Sequence, residues 1–306
     1  MLEPAYTFIL TSRNDDHDPG LRRLKVCLAC LFHHMESRGV DSELLLVEWN
    51  PPANRPGLAD VLPWPTGQQH WTVRAITVSP EVHSQWAGRG RTIPLYVLAA
   101  RNVGLRRARG QWVLPMNQDC FFTDRLADRL ADPSILRQYA FYRAVRADIP
   151  PAVIRPAGGV AKILRQAEQT TDIVMHVPEN QRKAFTNGSG DFMLMHRSAW
   201  EQLRGYPERR LYGVFLDAIQ VHMALQAGYK QVIWPTSSCI YHVTHEWGWL
   251  PNLFAGLDAM GYPYMSEQAY IRWARSVRNG WSPHIVNGED WGLGQLALPE
   301  REIDVR

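Results

Sequence analysis

Apolar and polar positions along the first 120 residues follow two alternating periods, which is typical of an α/β fold. Residues 6–11 are rich in strand-forming side chains, and residues 44–47 are a continuous apolar run of the kind that a buried parallel strand shows. Between them, residues 21–35 repeat apolar side chains at helical spacing, and Asn-Pro-Pro at 50–52 ends the second strand. This β-α-β order predicts a doubly wound, mostly parallel sheet flanked by helices.

The alternation continues, less regularly, through the rest of the chain. The further predicted elements are a strand over 73–78, a loop over 84–91, a helix over 95–109, a strand over 112–116, a helix over 161–169, a strand over 192–195, a helix over 216–227, a strand over 232–234 and a helix over 267–277. Residues 146–187 contain Pro-Pro and Gly-Gly pairs, which indicates an insertion or a mobile flap and not a separate domain.

Composition narrows the class of protein. The chain has 306 residues, 45% of them hydrophobic and 21% charged, which is sufficient for a large α/β domain with a substantial core. The net charge of +3 is mild and the basic residues are scattered, so anionic small molecules are favoured as ligands over nucleic acid. The sequence shows neither a signal-peptide pattern nor a long apolar run, and we expect a cytoplasmic protein without a transmembrane segment. Peripheral membrane contact and the oligomeric state stay open.

The four cysteines do not form a recognisable disulfide or zinc pattern. A single C-x-x-C, Cys27 and Cys30, lies inside an apolar helical stretch, and no second pair completes a zinc site. We therefore predict that both are buried packing residues, in a protein from a reducing compartment.

Candidate metal ligands follow two of the predicted strands. Asn117 and Asp119 come directly after the strand over 112–116, at the edge of a parallel sheet where ligands bind. A carboxylate and an amide oxygen two residues apart can share a hard cation, which would neutralise a leaving diphosphate. His242 and His245 follow the last strand and could give one or both imidazoles to the same metal. The alternatives are a turn-capping role for Asp119 and a structural or solvated histidine pair.

Phosphate-binding and catalytic candidates lie on the predicted helices and in one Gly-rich segment. Asn102 and Arg106 share a helical face, and arginine binds phosphate in a bidentate fashion, although a solvated basic face would look the same. Asp217 opens a helix, where the dipole favours an ionised carboxylate that can act as a general base. Asp191 follows Gly188-Ser189-Gly190 and is the rival carboxylate.

In its order of segments, the chain resembles the GT-A glycosyltransferases, especially the large inverting, family 2-like group of bacterial enzymes. The segments that carry the resemblance are the opening strand with Thr11-Ser12-Arg13-Asn14, then Arg101-Asn102-Val103-Gly104 and Ala108-Arg109-Gly110, then residues 112–119, where the family places its D-x-D motif, then 188–192, Trp200 and 203–207, and finally Leu216-Asp217 with Ala227-Gly228-Tyr229. Asn117 departs from the D-x-D motif, and Leu216 replaces one residue of the family's acidic pair.

The resemblance implies a GT-A-type, Rossmann-like domain over residues 1–246 with a C-terminal helical and loop extension over 247–306. Residues 1–120 would bind the nucleotide sugar, residues 121–246 would form the acceptor half with its flap at 146–187, and the extension would pack on the acceptor side. It also implies roles for single residues: Ser12, Arg13 and Glu48 in the nucleotide pocket, Arg101 and Asn102 beside the donor, Asp119 on the metal and diphosphate, His242 or His245 as a further metal ligand, and Asp217 as base.

The resemblance thus implies a glycosyltransferase that uses a nucleotide-diphosphate sugar and a divalent metal, Mn²⁺ or Mg²⁺. A UDP-sugar is the favoured donor and a GDP-sugar the alternative; the acceptor would be a small molecule, a glycan or a lipid-linked hydroxyl. Direct displacement with inversion would use Asp217 as the base. Two other functions stay open: a non-catalytic nucleotide-sugar or glycan-binding protein of the same fold, and a sugar nucleotidylyltransferase. The second lacks its Gly-rich phosphate loop here.

Overall fold

The computed structural model describes residues 3–15, 20–88, 92–155, 158–173, 183–245 and 250–306. The strands are β1 Tyr6–Ser12, β2 Ser42–Trp49, β3 Trp71–Val78, β4 Trp112–Met116, β5 Cys120–Phe122, β6 Ala140–Arg143, β7 Arg146–Ile149, β8 Asp172–Ile173, β9 Leu194–His196, β10 Lys230–Ile233, β11 Ile240–Val243 and β12 Glu300–Ile303. The helices are α1 Gly20–Glu36, α2 Leu58–Val61, α3 Pro80–Ala87, α4 Val97–Arg107, α5 Asp124–Leu130, α6 Gly159–Thr170, α7 Arg197–Leu203, α8 Leu216–Gln226, α9 Leu250–Met260 and α10 Glu267–Arg278.

Eight of these strands form one large sheet in the order β10-β6-β9-β4-β1-β2-β3-β12. The pairs β1–β2, β1–β4, β2–β3 and β6–β10 are parallel, whereas β9 and β12 run antiparallel to their neighbours. The predicted mostly parallel sheet flanked by helices is confirmed. The register pairs Ser12 with Glu48 and Leu10 with Met116, so the carboxyl ends of three central strands meet at one edge.

Alternate side chains of the central strands build the two cores of this sheet. Phe8 and Leu44 face a core shared with α1, while Ile9 and Leu45 face a second core shared with α4. The central strands are therefore buried on both faces, and this burial explains their continuous hydrophobic runs. Cys27 and Cys30 are fully buried on α1, as predicted.

A second, smaller sheet has the order β5-β11-β7-β8. β11 pairs antiparallel with β5 and parallel with β7. The strands of this sheet are only two to four residues long. Part of the segment predicted as a flap, residues 146–187, belongs to this sheet as β7 and β8, and another part forms α6; residues 156–157 and 174–182 lie outside the described residues.

One further prediction differs from the structure. Residues 84–87 of the predicted loop belong to α3, because Ser79 caps the helix and Pro80 occupies its first turn; residues 89–91 lie outside the described part of the chain. The C-terminal extension contacts two parts of the chain. Its helix α10 packs against α8, and β12 pairs with β3 and forms one end of the large sheet. Within the residues described, no helix has the length and apolarity needed to cross a bilayer.

Candidate active site

A cavity of about 320 Å³ opens at the carboxyl ends of β1 and β4. This is the edge at which ligands bind in open parallel sheets. One part of its wall is apolar and aromatic, and the other part carries charge. Its lining consists of Thr11, Ser12, Arg13, Asp15, Arg23, Ile93, Pro94, Leu95, Val97, Asn117, Gln118, Asp119, Tyr212, His245, Met260 and Tyr262.

Asp119, His242 and His245, which we call the metal triad, come together beside this cavity. Each offers one ligand atom, and these atoms lie within 4.8 Å of one another. Asp119 Oδ2 is 3.2 Å from His245 Nε2 and 3.8 Å from His242 Nε2. The sequence-based prediction that these three residues share one site is therefore met in their geometry.

The small sheet brings the metal triad together from distant parts of the sequence. The β5–β11 register pairs His242 with Cys120, the residue after Asp119. The backbone N–H of Val243 donates to the carbonyl of Asp119 at 3.0 Å, which fixes the strand exit that carries the carboxylate. His245 follows two residues after β11 and is half-buried at the cavity wall.

The charges of the triad stabilise one another. Burial disfavours a charged Asp119, but the imidazoles of His242 and His245 outweigh burial and lower the pKa of the carboxyl. Burial likewise disfavours a charged His242, but the Asp119 and Asp148 carboxylates outweigh it and raise the pKa of the imidazole. The triad is thus a buried carboxylate that attracts positive charge.

The donor atoms of the triad fit a divalent cation. His242 Nδ1 lies 2.8 Å from Asp148 Oδ1, so its proton is directed at that carboxylate and Nε2 faces Asp119. Metal-bound histidines commonly donate their second ring nitrogen to a carboxylate in this manner. One carboxylate and two imidazoles are a donor set that first-row divalent metals accept.

Two arginines line the cavity near the triad. Arg13 follows β1 and was predicted to contact the nucleotide; it lies in the lining together with Ser12, whose hydroxyl donates to Gln118 Oε1. Arg23, from the first turns of α1, is 6% exposed, and its charge helps to lower the pKa of Asp119. The cavity therefore offers guanidinium groups and a metal triad to the same ligand.

Asn117 is not a member of the metal triad, although it was predicted to share the cation with Asp119. Its Oδ1 accepts from Arg101 at 2.5 Å and its Nδ2 donates to Asp191 at 2.5 Å. Both side-chain groups are thus used to join the buried Arg101 to the buried Asp191. The amide serves as a bridge here, so the missing first carboxylate of the motif removes no ligand from the triad.

Asp217 lies in the first turn of α8, close to Arg101. Its Oδ1 accepts from the backbone N–H of Ala218 at 2.9 Å, and a Cβ on Gly190 would come within 2.8 Å of its Oδ2. Burial raises the pKa of the Asp217 carboxyl, against the opposing effects of the Ser189 hydroxyl and Arg101. Gly190 is therefore needed for the approach of this carboxylate.

The turn before α8 has an unusual backbone. Phe215 has a positive φ of 66°, which is costly for a residue with a large side chain. Its ring stacks on Tyr270 with 4.9 Å between the centroids and 9° between the planes. This contact with α10 offsets the strain and sets the direction in which the first turn of α8 presents Asp217.

Three predicted donor-binding residues have other partners. Asn102 is fully buried and exchanges two 2.8 Å hydrogen bonds with the backbone of Tyr206. Arg106 donates to the carbonyls of Glu289 and Trp291 and so holds the C-terminal extension on α4. Both side chains thus bind protein segments, and neither lines the cavity.

Glu48, which was also predicted for the nucleotide pocket, lies at the end of β2 and is 5% exposed. Its Oε2 accepts from the backbone N–H of Leu58 at 2.9 Å, at the start of α2, and it is absent from the cavity lining.

Sequence reasoning missed several residues of the site. Arg23 is one of three basic residues, Arg22, Arg23 and Lys25, on an amphipathic helix, and Arg146 and Asp148 lie in a segment interpreted as a flap. Tyr212 and Tyr262 line the cavity from loops without a periodic pattern. The one available signal was the alternation of Arg146, Asp148 and two apolar residues, which is a short strand pattern.

Comparison with known proteins finds similarity only among solved structures. No protein-family model matches the chain, and no curated protein matches its sequence. Among solved structures, S. aureus TarS 1-349 is similar over 90% of this chain and 70% of that chain, with 12% identity and a TM-score of 0.48. TarS 1-349 in complex with UDP-GlcNAc is similar over 89% and 65%, with 14% identity and a TM-score of 0.49. A likeness of this size carries no argument about activity, which rests on the geometry of the site.

Proposed function

We propose that this protein is a glycosyltransferase that transfers a sugar from a nucleotide-diphosphate sugar, with a divalent metal, to an acceptor hydroxyl. The observation that carries the proposal is the metal triad of Asp119, His242 and His245 beside a cavity that two arginines also line. A metal and guanidinium groups at one cavity are suited to a diphosphate, whose charge rises when its bond to the sugar breaks.

The metal would be held by Asp119 Oδ2 and by the Nε2 atoms of the two histidines. It would supply charge neutralisation on the departing diphosphate. Because two of the three donors are imidazoles, the site favours Mn²⁺ over Mg²⁺, which prefers oxygen ligands and retained water. The same donor set binds Fe(II) in oxygenases, but Arg13 and Arg23 favour an anionic ligand.

The acceptor would be activated by a carboxylate on the other side of the Asn117 bridge. Asp217 is the better candidate base, because its raised pKa makes it a stronger proton acceptor near neutral pH. Asp191 is bound by Asn117 and Arg146. In a direct displacement, the acceptor oxygen bonds to the anomeric carbon as the bond to the diphosphate breaks, and the acceptor proton passes to Asp217. This gives inversion, with a UDP-sugar as the donor that we favour.

The test is release of nucleoside diphosphate from a panel of UDP- and GDP-sugars, with added Mn²⁺, with Mg²⁺ and with a chelator. We expect Asp119→Ala to lower the Mn²⁺-dependent rate by about a thousandfold, since the metal contributes several kcal/mol of charge stabilisation. Asp41→Ala is the matched control, because Asp41 also pairs with a histidine at 2.8 Å but precedes β2, at the opposite edge of the sheet.

Two results would contradict parts of this proposal. Equal turnover of Asp119→Ala and the wild-type protein would remove the metal from the mechanism. Thermal stabilisation by a nucleotide sugar, with no hydrolysis and no transfer under any condition, would favour a non-catalytic nucleotide-sugar-binding protein.

A further inference from the structure

His242 has a buried acidic partner outside the metal triad. The parallel β7–β11 register places Asp148 directly beside His242, and their side chains meet with 2.8 Å between Oδ1 and Nδ1. On its other side, His242 pairs with Cys120 of β5, the residue that follows Asp119. The register of the small sheet therefore places His242 between Asp148 and the turn that carries Asp119.

We propose that Asp148 is a positioning residue that holds the His242 ring with Nε2 directed at the metal. The proposal rests on the metal-assisted function proposed above. In neutral imidazole one ring nitrogen carries the proton and the other is free to bind a metal. With its proton on Nδ1 and donated to Asp148, His242 keeps the Nε2 lone pair on the side of Asp119, 3.8 Å from Oδ2.

Arg146 fixes Asp148 in turn. Its Nε lies 3.0 Å from Asp148 Oδ1, and its Nη1 lies 3.5 Å from Asp191 Oδ2. Arg146 and Asp148 are two residues apart on β7, so both side chains project from the same face of the strand. One arginine thus joins the carboxylate behind the metal triad to the carboxylate that is bound to Asn117. The side chains form one connected polar network, from His242 to Arg101.

A second histidine–carboxylate pair in the chain shows what is specific to this one. His70 and Asp41 also meet with 2.8 Å between Nδ1 and Oδ1. Their side chains are 34% and 58% exposed, whereas those of His242 and Asp148 are 4% and 12% exposed. Water can replace an exposed carboxylate as the partner of a ring N–H, but it cannot easily do so at the buried pair. Removal of Asp148 should therefore release the ring, and removal of Asp41 serves as a matched control.

The experiment is a Mn²⁺ titration of the whole protein, followed by the electron paramagnetic resonance signal of the free ion. We expect Asp148→Ala to weaken Mn²⁺ binding by about 10- to 100-fold, the range found for partners of metal-bound histidines. Asp148→Asn, which keeps an oxygen acceptor but loses the charge, should fall between Asp148→Ala and the wild type. Asp41→Asn should bind Mn²⁺ as the wild type does.

A second measurement needs neither metal nor turnover. The ¹⁵N shifts of the His242 ring in the metal-free protein at alkaline pH report which nitrogen carries the proton. We expect Nδ1–H in the wild-type protein and a shift toward Nε2–H in Asp148→Ala. If Asp148→Ala does not fold, Asp148→Asn provides the Mn²⁺ measurement, in which the loss of charge alone should weaken binding.

The outcomes separate the two proposals. Unchanged Mn²⁺ affinity and an unchanged His242 tautomer in the Asp148 variants would overturn the positioning role and leave the glycosyltransferase proposal intact. A wild-type protein that binds no Mn²⁺ would overturn the metal site and, with it, the role of Asp148. Lower thermal stability of an Asp148 variant with wild-type Mn²⁺ affinity would show a purely structural residue and also contradict the proposal.

Discussion

The two sheets of this protein contribute to the site in different ways. The central strands of the large sheet are five to eight residues long and buried almost throughout, and they bring Ser12, Arg13 and Asn117 to the cavity at their ends. The small sheet has strands of two to four residues, and polar side chains within or beside them form the metal triad. The large sheet therefore provides the binding edge, and the small sheet provides the metal ligands.

The two sheets also use buried carboxylates for different purposes. Glu43 on β2 accepts from Thr7 at 2.6 Å and from Arg74 at 2.9 Å, so its lone pairs are used within the protein. Asp119, beside β5, faces two imidazoles that can exchange their protons for a metal. Burial alone does not distinguish a structural carboxylate from a functional one. The partner does, because arginine cannot give up its proton whereas histidine can.

The largest effect is expected from replacement of Asp217, the proposed base. Asp217→Asn keeps an acceptor for the Ala218 N–H but cannot take up the acceptor proton, so we expect kcat to fall by about 100- to 10,000-fold. Mn²⁺ affinity should stay within about twofold, since Asp217 is not one of the three proposed metal ligands. Steady-state kinetics with saturating donor and the Mn²⁺ titration measure the two quantities.

Glu267→Gln is the control for Asp217→Asn, because Glu267 is an exposed carboxylate in the first turn of α10. It should leave kcat unchanged. If Mn²⁺ affinity in Asp217→Asn fell as much as kcat, Asp217 would act through metal binding and not as a separate base.

The next largest effect concerns stability in the large sheet. Glu43→Ala leaves the buried Arg74 without its main partner, and we expect the free energy of unfolding to fall by about 3–5 kcal/mol. The measurement is denaturant unfolding of the metal-free protein. In the folded fraction, Mn²⁺ affinity should equal that of the wild type, since Glu43 touches no residue of the triad.

Glu300→Ala removes a second carboxylate from the same arginine and is the matched control. Glu300 lies 2.9 Å from Arg74 but its side chain is 34% exposed, so the expected loss is about 1 kcal/mol or less. Equal losses in the two variants would show that burial does not set the value of these pairs.

The large sheet is the part of the fold that the sequence predicts well. Residues 112–116 were predicted as a strand with the bounds that the structure has, and the predicted apolar run at 44–47 lies within β2, because the middle of a buried parallel strand is apolar on both faces. The small sheet could not be found in the same way. β5 and β11 are too short to show a period, and their pairing joins residues more than 100 positions apart.

The residues of the candidate site likewise differ in how far the sequence predicts them. Ser12, Arg13 and Asp119 follow predictable strands, and the structure places them at the cavity. Asp148 could not be predicted, because only the β7–β11 register makes it a neighbour of His242. Arg106 binds the C-terminal segment, because a basic helical face suits the carbonyls of a packed segment as well as a phosphate.

His34 connects the two sheets and gives the smallest of the expected effects. It lies on α1, which packs on the large sheet, and its Nε2 donates to the carbonyl of Phe122 on β5 at 3.0 Å. Its Nδ1 faces Arg38 at 3.4 Å and Asp124 at 3.6 Å. Burial, aided by Arg38, outweighs the attraction of the Phe122 carbonyl and Asp124 and lowers the pKa of His34 from 6.5 to about 4.

A lowered pKa in the folded state means that the unfolded chain binds the His34 proton first as the pH falls. Stability from His34 is therefore present above pH 6.5 and is lost between pH 6.5 and about 4, by at most about 3 kcal/mol. His34→Gln keeps a donor for Phe122 but does not titrate, so its free energy of unfolding should fall less steeply over this interval. Denaturant unfolding across the interval measures the difference, with the exposed His33→Gln as control. Parallel curves for His34→Gln and the wild type would mean that another buried group sets the acid sensitivity of the junction between the sheets.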